Sequence, residues 1–94
     1  MKKNPIIYLS HILDCIEKIQ EYTSNLNERD FLNKSLIQDG VIRNLEIMGE
    51  ATKQLDNDFR SKYPAIEWKR IAGMRDKLIH DYIGVDLWAG LGSS

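Results

Sequence analysis

Ile37, Val41, Leu45, Met48, Thr52 and Leu55 follow one another at intervals of four, four, three, four and three. That period places all six on one face of an α-helix and scatters them over both faces of a strand. The spacing therefore predicts a helix over about Leu36–Leu55 whose apolar stripe must be covered by other elements. Two further segments supply matching stripes. Asn4-Pro5 is a capping residue followed by a first-turn proline, and Leu9, Ile12, Leu13, Ile16, Ile19 and Thr23 repeat the helical period behind it. This predicts a helix from about Pro5 to Ser24. Trp68, Ile71, Leu78 and Ile79 mark another, from Ile66 to about Tyr82, closed by Ile83-Gly84-Val85. No strand alternation and no internal repeat is present. The fold class that follows is all-α, an antiparallel bundle of about four helices.

The connections carry their own signals. Asn25-Leu26-Asn27 interrupts the first period, and Glu28–Leu32 reads as one helical turn that packs Phe31 and Leu32 inward. Ser35 followed by Gln38 reads as a capping box at the head of the long helix. Gly40 and Gly49 lie inside that helix, where glycine is unfavourable by up to about 1 kcal/mol relative to alanine, so close packing across them is expected. Asp56-Asn57-Asp58 closes the helix. Phe59 and Tyr63 form a short packed turn stopped by Pro64, and Glu67 lies in the first turn of the next helix, where the dipole favours acid. Asp86 caps a new helix, Leu87-Trp88-Ala89, which halts at Gly90-Leu91-Gly92-Ser93-Ser94. The expectation is a domain over residues 1–89 and a tail over 90–94 left by a vector or a frameshift, with a fifth helix cut away.

Ninety-four residues make one domain with a small core. A net charge of −1 announces neither a nucleic-acid nor a membrane binder. One local basic run exists: Arg60, Lys62, Lys69, Arg70, Arg75 and Lys77 against Glu67 and Asp76, for which a solvated helix face is the simpler reading. A single cysteine, Cys15, allows neither a disulfide nor a zinc site within one chain, and fits a reducing cytoplasm. No segment has transmembrane or signal-peptide character, and metal-binding, Walker and Rossmann motifs are absent. Glu46 and Glu50, four apart, could serve a metal or acid–base chemistry but read better as a solvated face. His11, next to the stripe of the first helix, reads as structural or exposed.

Chemistry concentrates in Met74-Arg75-Asp76-Lys77-Leu78-Ile79-His80-Asp81-Tyr82. Ile71, Arg75, Leu78 and Tyr82 share one helix face, so a cation and a phenol stand in an apolar stripe. A buried charge is costly without a partner, and the stripe is expected to face a polar seam such as a subunit interface or a cleft. Arg75 and His80 are five residues apart, about 140° around and about 7.5 Å along a helix. They do not meet within one straight helix, which suggests that Arg75 of one chain completes the site of His80 from another across a two-fold axis. Asp76, four before His80, can orient the imidazole. Histidine for proton transfer and arginine for a phosphate suit RNA phosphodiester cleavage without a metal or other cofactor.

This segment, continued through Ile83-Gly84-Val85-Asp86, resembles the signature of the HepT-like toxins, ribonucleases of the HEPN superfamily. Ile42-Arg43-Asn44-Leu45-Glu46-Ile47-Met48-Gly49-Glu50-Ala51 resembles that family's other characteristic segment, and the two stand at its usual separation. The resemblance implies a HEPN-type helical bundle that dimerises with Arg75 and His80 of both chains in a shared cleft. It implies a metal-independent endoribonuclease acting on an RNA such as tRNA or mRNA, the toxin of a type VII toxin–antitoxin pair. The implied partner is an MntA-type nucleotidyltransferase that transfers AMP to the motif tyrosine, here Tyr82. Arg75 would stabilise the scissile phosphate and His80 act as acid or base, with Arg43, Asn44 and Glu50 as supporting residues. The competing class is a helical dimerisation or partner-binding module without catalysis.

Overall fold

Asn4 starts the first helix as its composition requires: its side-chain oxygen accepts the Ile6 N–H at 3.0 Å, with Pro5 in the first turn. The computed structural model describes residues 4–80 and 88–91, and of 77–80 the helical backbone. Helix α1 spans Pro5–Thr23 and buries Leu9, Ile12, Cys15 and Ile19. It ends at Ser24, and Asn25 takes a φ of 64°, a left-handed conformation that asparagine tolerates better than most residues. Helix α2 is the short Glu28–Leu32, opened by Asn27, whose side chain accepts the Asp30 N–H at 2.8 Å. Its Phe31 is fully buried, but Leu32, expected inward beside it, stays 38% exposed, because neighbouring residues of a helix point about 100° apart and a five-residue helix turns only one face to the core.

Helix α3, Ser35–Lys53, is the centre of the fold and buries Val41, Leu45 and Met48 against α1. Tyr22, at the end of α1, lies over Gly40 near the start of α3: a Cβ on Gly40 would sit 3.1 Å from the ring. Tyr8, at the start of α1, lines one cleft with Glu50 and Ala51 near the end of α3. The two helices are therefore antiparallel, as the periodicity requires. The capping box is not formed. Ser35 already lies inside the helix and Lys34 occupies the cap position without a side-chain capping bond. The Gln38 amide reaches back to α2, donating to the carbonyls of Phe31 (2.8 Å) and Leu32 (3.1 Å). Those carbonyls end a five-residue helix and need donors, a demand the local Ser–Gln pattern does not disclose.

Helix α4, Asn57–Ser61, is capped by Asp56, which accepts the Phe59 N–H at 2.8 Å. Phe59 and Tyr63 stack at 5.1 Å between ring centroids, the packed turn expected before Pro64. Helix α5 runs Trp68–His80. It begins two residues later than the apolar pattern suggests, so Glu67 stands before the first turn rather than in it. The cause is a tight turn in which the Trp68 N–H donates to the Ile66 carbonyl at 2.9 Å. The indole N–H is meanwhile held by the carbonyls of Arg60 (3.0 Å) and Tyr63 (3.2 Å). Residues 88–90 are helical, and Trp88 packs on Phe31 with centroids 5.1 Å apart. The expected helix cap at Asp86 and the tail from residue 92 lie outside the described residues.

The core joins α1, α2, α3, α5 and Trp88. Among the described residues no helix is long and apolar enough to cross a membrane. Cys15 is buried in this core; desolvation pushes its thiol above the ordinary range, with Lys18 opposing and Asp14 adding to the effect. Ile12 is wholly buried, whereas Leu36 is 84% exposed although both belong to apolar-looking helices. Ile12→Ala is expected to lower the unfolding free energy by about 2–5 kcal/mol in urea titrations. Leu36→Ala is expected to change it by less than about 0.5 kcal/mol.

Candidate active site

Arg75 lies on the face of α5 that meets α3. Its side chain crosses Gly49: a Cβ added there would overlap Arg75 Cδ and sit 2.9 Å from Cγ and 3.1 Å from Nε. Beyond the glycine the Arg75 Nη2 donates to Glu50 Oε1 at 2.7 Å. The Arg75 side chain retains 19% of its exposure and the Glu50 side chain 60%. The cation in the apolar stripe thus finds a partner within its own chain. Its stem lies in protein and its charged end is at the edge of solvent, the arrangement expected of a long amphipathic side chain. One Nη2–Oε1 bond uses one of the five N–H donors a guanidinium carries. Lys53 stands 3.8 Å from the same Glu50 oxygen.

The other sequence candidates fall around this contact unevenly. Asn44 is buried, and its amide donates to the Gly40 carbonyl one turn back at 2.7 Å, a bond within α3 that serves packing. Arg43 is exposed, seven residues before Glu50 on the same helix and so on nearly the same face. Asp76 is exposed. His80 is on α5 five residues after Arg75, which for a continuous helix separates the two by about 140° and about 7.5 Å. The His80 side chain, and with it the Asp76–His80 pairing, lies outside the description, as does Tyr82.

One residue assigned no chemistry from sequence stands close to the contact. His11 of α1 lines a cleft of about 510 Å³ between α1 and α3, together with Tyr8, Glu46, Ile47, Glu50, Ala51 and Gln54. Glu50 therefore belongs both to this cleft and to the Arg75 pair. His11 falls beside the apolar stripe of α1, and no local pattern distinguishes it from an ordinary surface histidine. Only the packing of α1 on α3 puts it there. Among the described residues no three His, Cys, Asp or Glu side chains are grouped to hold a metal ion.

An all-helical domain with an arginine presented from one helix over a glycine of another is the class of protein defined so far. Comparison with known proteins places it further. The ribonuclease HepT-like family model matches residues 12–88, and the chain belongs to that family, within the HEPN superfamily. A Methanocaldococcus jannaschii protein named "Gamma-glutamylcyclotransferase and putative RNase" is 54% identical over 87 residues, 93% of this chain and 39% of that protein. The "Probable ribonuclease HepT" of Thermococcus cleftensis is 48% identical over 87 residues, 93% of this chain and 79% of that protein. The chain thus spans well under half of the first relative and most of the second. No solved structure matches it significantly.

Because Gly49 makes room for Arg75, Gly49→Ala should keep or raise helicity by circular dichroism while pushing Arg75 off Glu50. The guanidinium Nε–H resonance of Arg75 is expected to move in Gly49→Ala in the same direction as in Glu50→Gln; an unmoved resonance would contradict the placement.

Proposed function

We propose that this chain is a metal-independent endoribonuclease that cleaves RNA with Arg75 and His80, and that it acts as the toxin of a type VII toxin–antitoxin pair. The observation that carries the reading is the Arg75 guanidinium held by Glu50 at 2.7 Å over Gly49, in a chain of the ribonuclease HepT-like family. A fixed fork of donors at the edge of solvent suits a phosphate.

In this reading a base removes the proton of the 2′-hydroxyl as its oxygen attacks the adjacent phosphorus. Arg75 stabilises the doubly charged phosphorane, and an acid protonates the departing 5′-oxygen. The products are a 2′,3′-cyclic phosphate and a 5′-hydroxyl. His80 supplies proton transfer near neutral pH. The helical separation of Arg75 and His80 supports a site completed by a second copy of the chain, with Arg75 of one protomer and His80 of its partner on one phosphate. Glu50 orients Arg75 and Asp76 orients His80.

Tyr82 is the regulatory site. An MntA-type nucleotidyltransferase joins the tyrosine oxygen to the α-phosphorus of ATP and releases pyrophosphate. Tyr82 is seven residues after Arg75, so a continuing helix would put the adduct's phosphate on the Arg75 face, where it competes with RNA.

Incubated with total tRNA in EDTA, the protein should cleave. His80→Ala and Arg75→Ala should each lower the rate at least about 100-fold with helicity retained. Equal background from wild type and both variants would instead favour a binding module without catalysis. Co-expressed with the nucleotidyltransferase, the protein should gain mass in whole AMP units, and Tyr82→Phe should gain none; equal adducts on both proteins would place the modification elsewhere.

A further inference from the structure

Apart from Arg75, the basic run of α4 and α5 has no part in the site above, yet it is where the chain's positive charge collects. Of thirteen Lys and Arg and fourteen Asp and Glu, six and two fall in residues 60–77, leaving seven and twelve elsewhere. A chain of net charge −1 thus carries a local excess of four positive charges, on the segment that ends in the helix bearing Arg75. Tertiary structure gathers part of it. A groove of about 650 Å³ between α4 and the start of α5 is lined by Arg60, Lys69 and Arg70, with Trp68 as an apolar wall and Glu67 as the acid.

The groove's side chains are differently engaged. Arg70 donates to Glu67 at 2.9 Å and to the Gly90 carbonyl at 2.7 Å, so its charge is matched and its role is to hold residues 88–91 against α5. Arg60 donates to the neutral side chain of Asn57 at 2.7 Å. That bond orients the guanidinium without cancelling its charge. Lys69 is exposed. Trp68 has its indole N–H fixed on the carbonyls of Arg60 and Tyr63, which locks the ring in one orientation. Two cations beside a fixed aromatic wall is a combination that tracks a nucleic-acid backbone without reading its sequence.

We infer that the α4–α5 groove binds the single-stranded RNA that flanks the cleaved phosphate, with Arg60 and Lys69 on backbone phosphates. This rests on the ribonuclease reading for its substrate. It adds a contact that lies away from the reacting atoms and selects for strand length rather than for base. Lys69 is six residues before Arg75 on the same helix, about 9 Å along its axis and about 120° around it, so a short oligonucleotide held at Arg75 would not reach the groove and only a strand long enough to pass around α5 would.

The test measures binding of 2′-O-methyl RNA, which lacks the nucleophilic hydroxyl and cannot be cut, as a trimer and as a decamer across a sodium chloride series. For the decamer, Lys69→Gln and Arg60→Gln should each reduce the slope of log K against log salt by about 0.7, the single-strand value for one phosphate contact. Arg60→Lys should restore the slope, and trimer binding should be unaffected in every variant. An unchanged decamer slope in the doubly substituted protein overturns the proposal, including in favour of a protein partner at this groove. Equal losses for trimer and decamer overturn it too, since they would reflect a general effect of charge. If tRNA is cut but the slopes do not move, the groove fails and the nuclease stands. If the slopes move and no RNA is cut, the groove stands and the nuclease fails.

Discussion

The contact on which this structure turns joins Arg75 of α5 to Glu50 of α3, two residues 25 positions apart in the chain. A guanidinium keeps its charge at any pH a protein meets. Set in the apolar stripe of a helix, it must find an acceptor where its stem is covered by protein. Glu50 is that acceptor, and its own side chain stays mostly in water. Ion pairs this wet contribute little to stability. What the pair contributes is orientation: it aims a planar fork of donors and keeps it at the surface.

Gly49 makes the arrangement possible. A side chain there would occupy the path of the Arg75 stem, so the helix-propensity deficit of a glycine in mid-helix is offset by the contact it admits. The same logic explains Gly40, over which the Tyr22 ring closes the opposite end of the α1–α3 pair. At Gly49 another element comes too near for a Cβ, and at Gly40 a Cβ would be a tight contact. At Gly49 the neighbour is the stem of Arg75, and at Gly40 it is the ring of Tyr22. The two segments that carry the family resemblance, one around residues 42–51 and one beginning at Met74, are therefore a single structural unit that meets at Gly49, Glu50 and Arg75.

Most of the fold was legible because helical periodicity is a local property. The expected α1 and α3 coincide with Pro5–Thr23 and Ser35–Lys53 to within two residues at each end, and the turn at Glu28–Leu32 is readable from Phe31, the one residue it buries. The misreadings lie at helix ends, where several donors compete. Ser35 and Gln38 have the spacing of a capping box, yet the Gln38 amide serves the end of α2. Glu67 has the charge and place of a first-turn acid, yet the anchored Trp68 delays the helix. In both cases a neighbouring segment changed a preference that was sound locally.

The sequence by itself determined the helical class, the helices and their apolar faces, and the spacing that keeps Arg75 and His80 apart on one helix. These follow from backbone geometry and the position of residues along it. Tertiary structure decided that Arg75 rests on Gly49 and binds Glu50, that His11 shares a cleft with that same carboxylate, and that Arg60 and Lys69 line one groove. The physical reason is that a side chain's partner depends on how helices distant in sequence pack, and no period within a single helix carries that information.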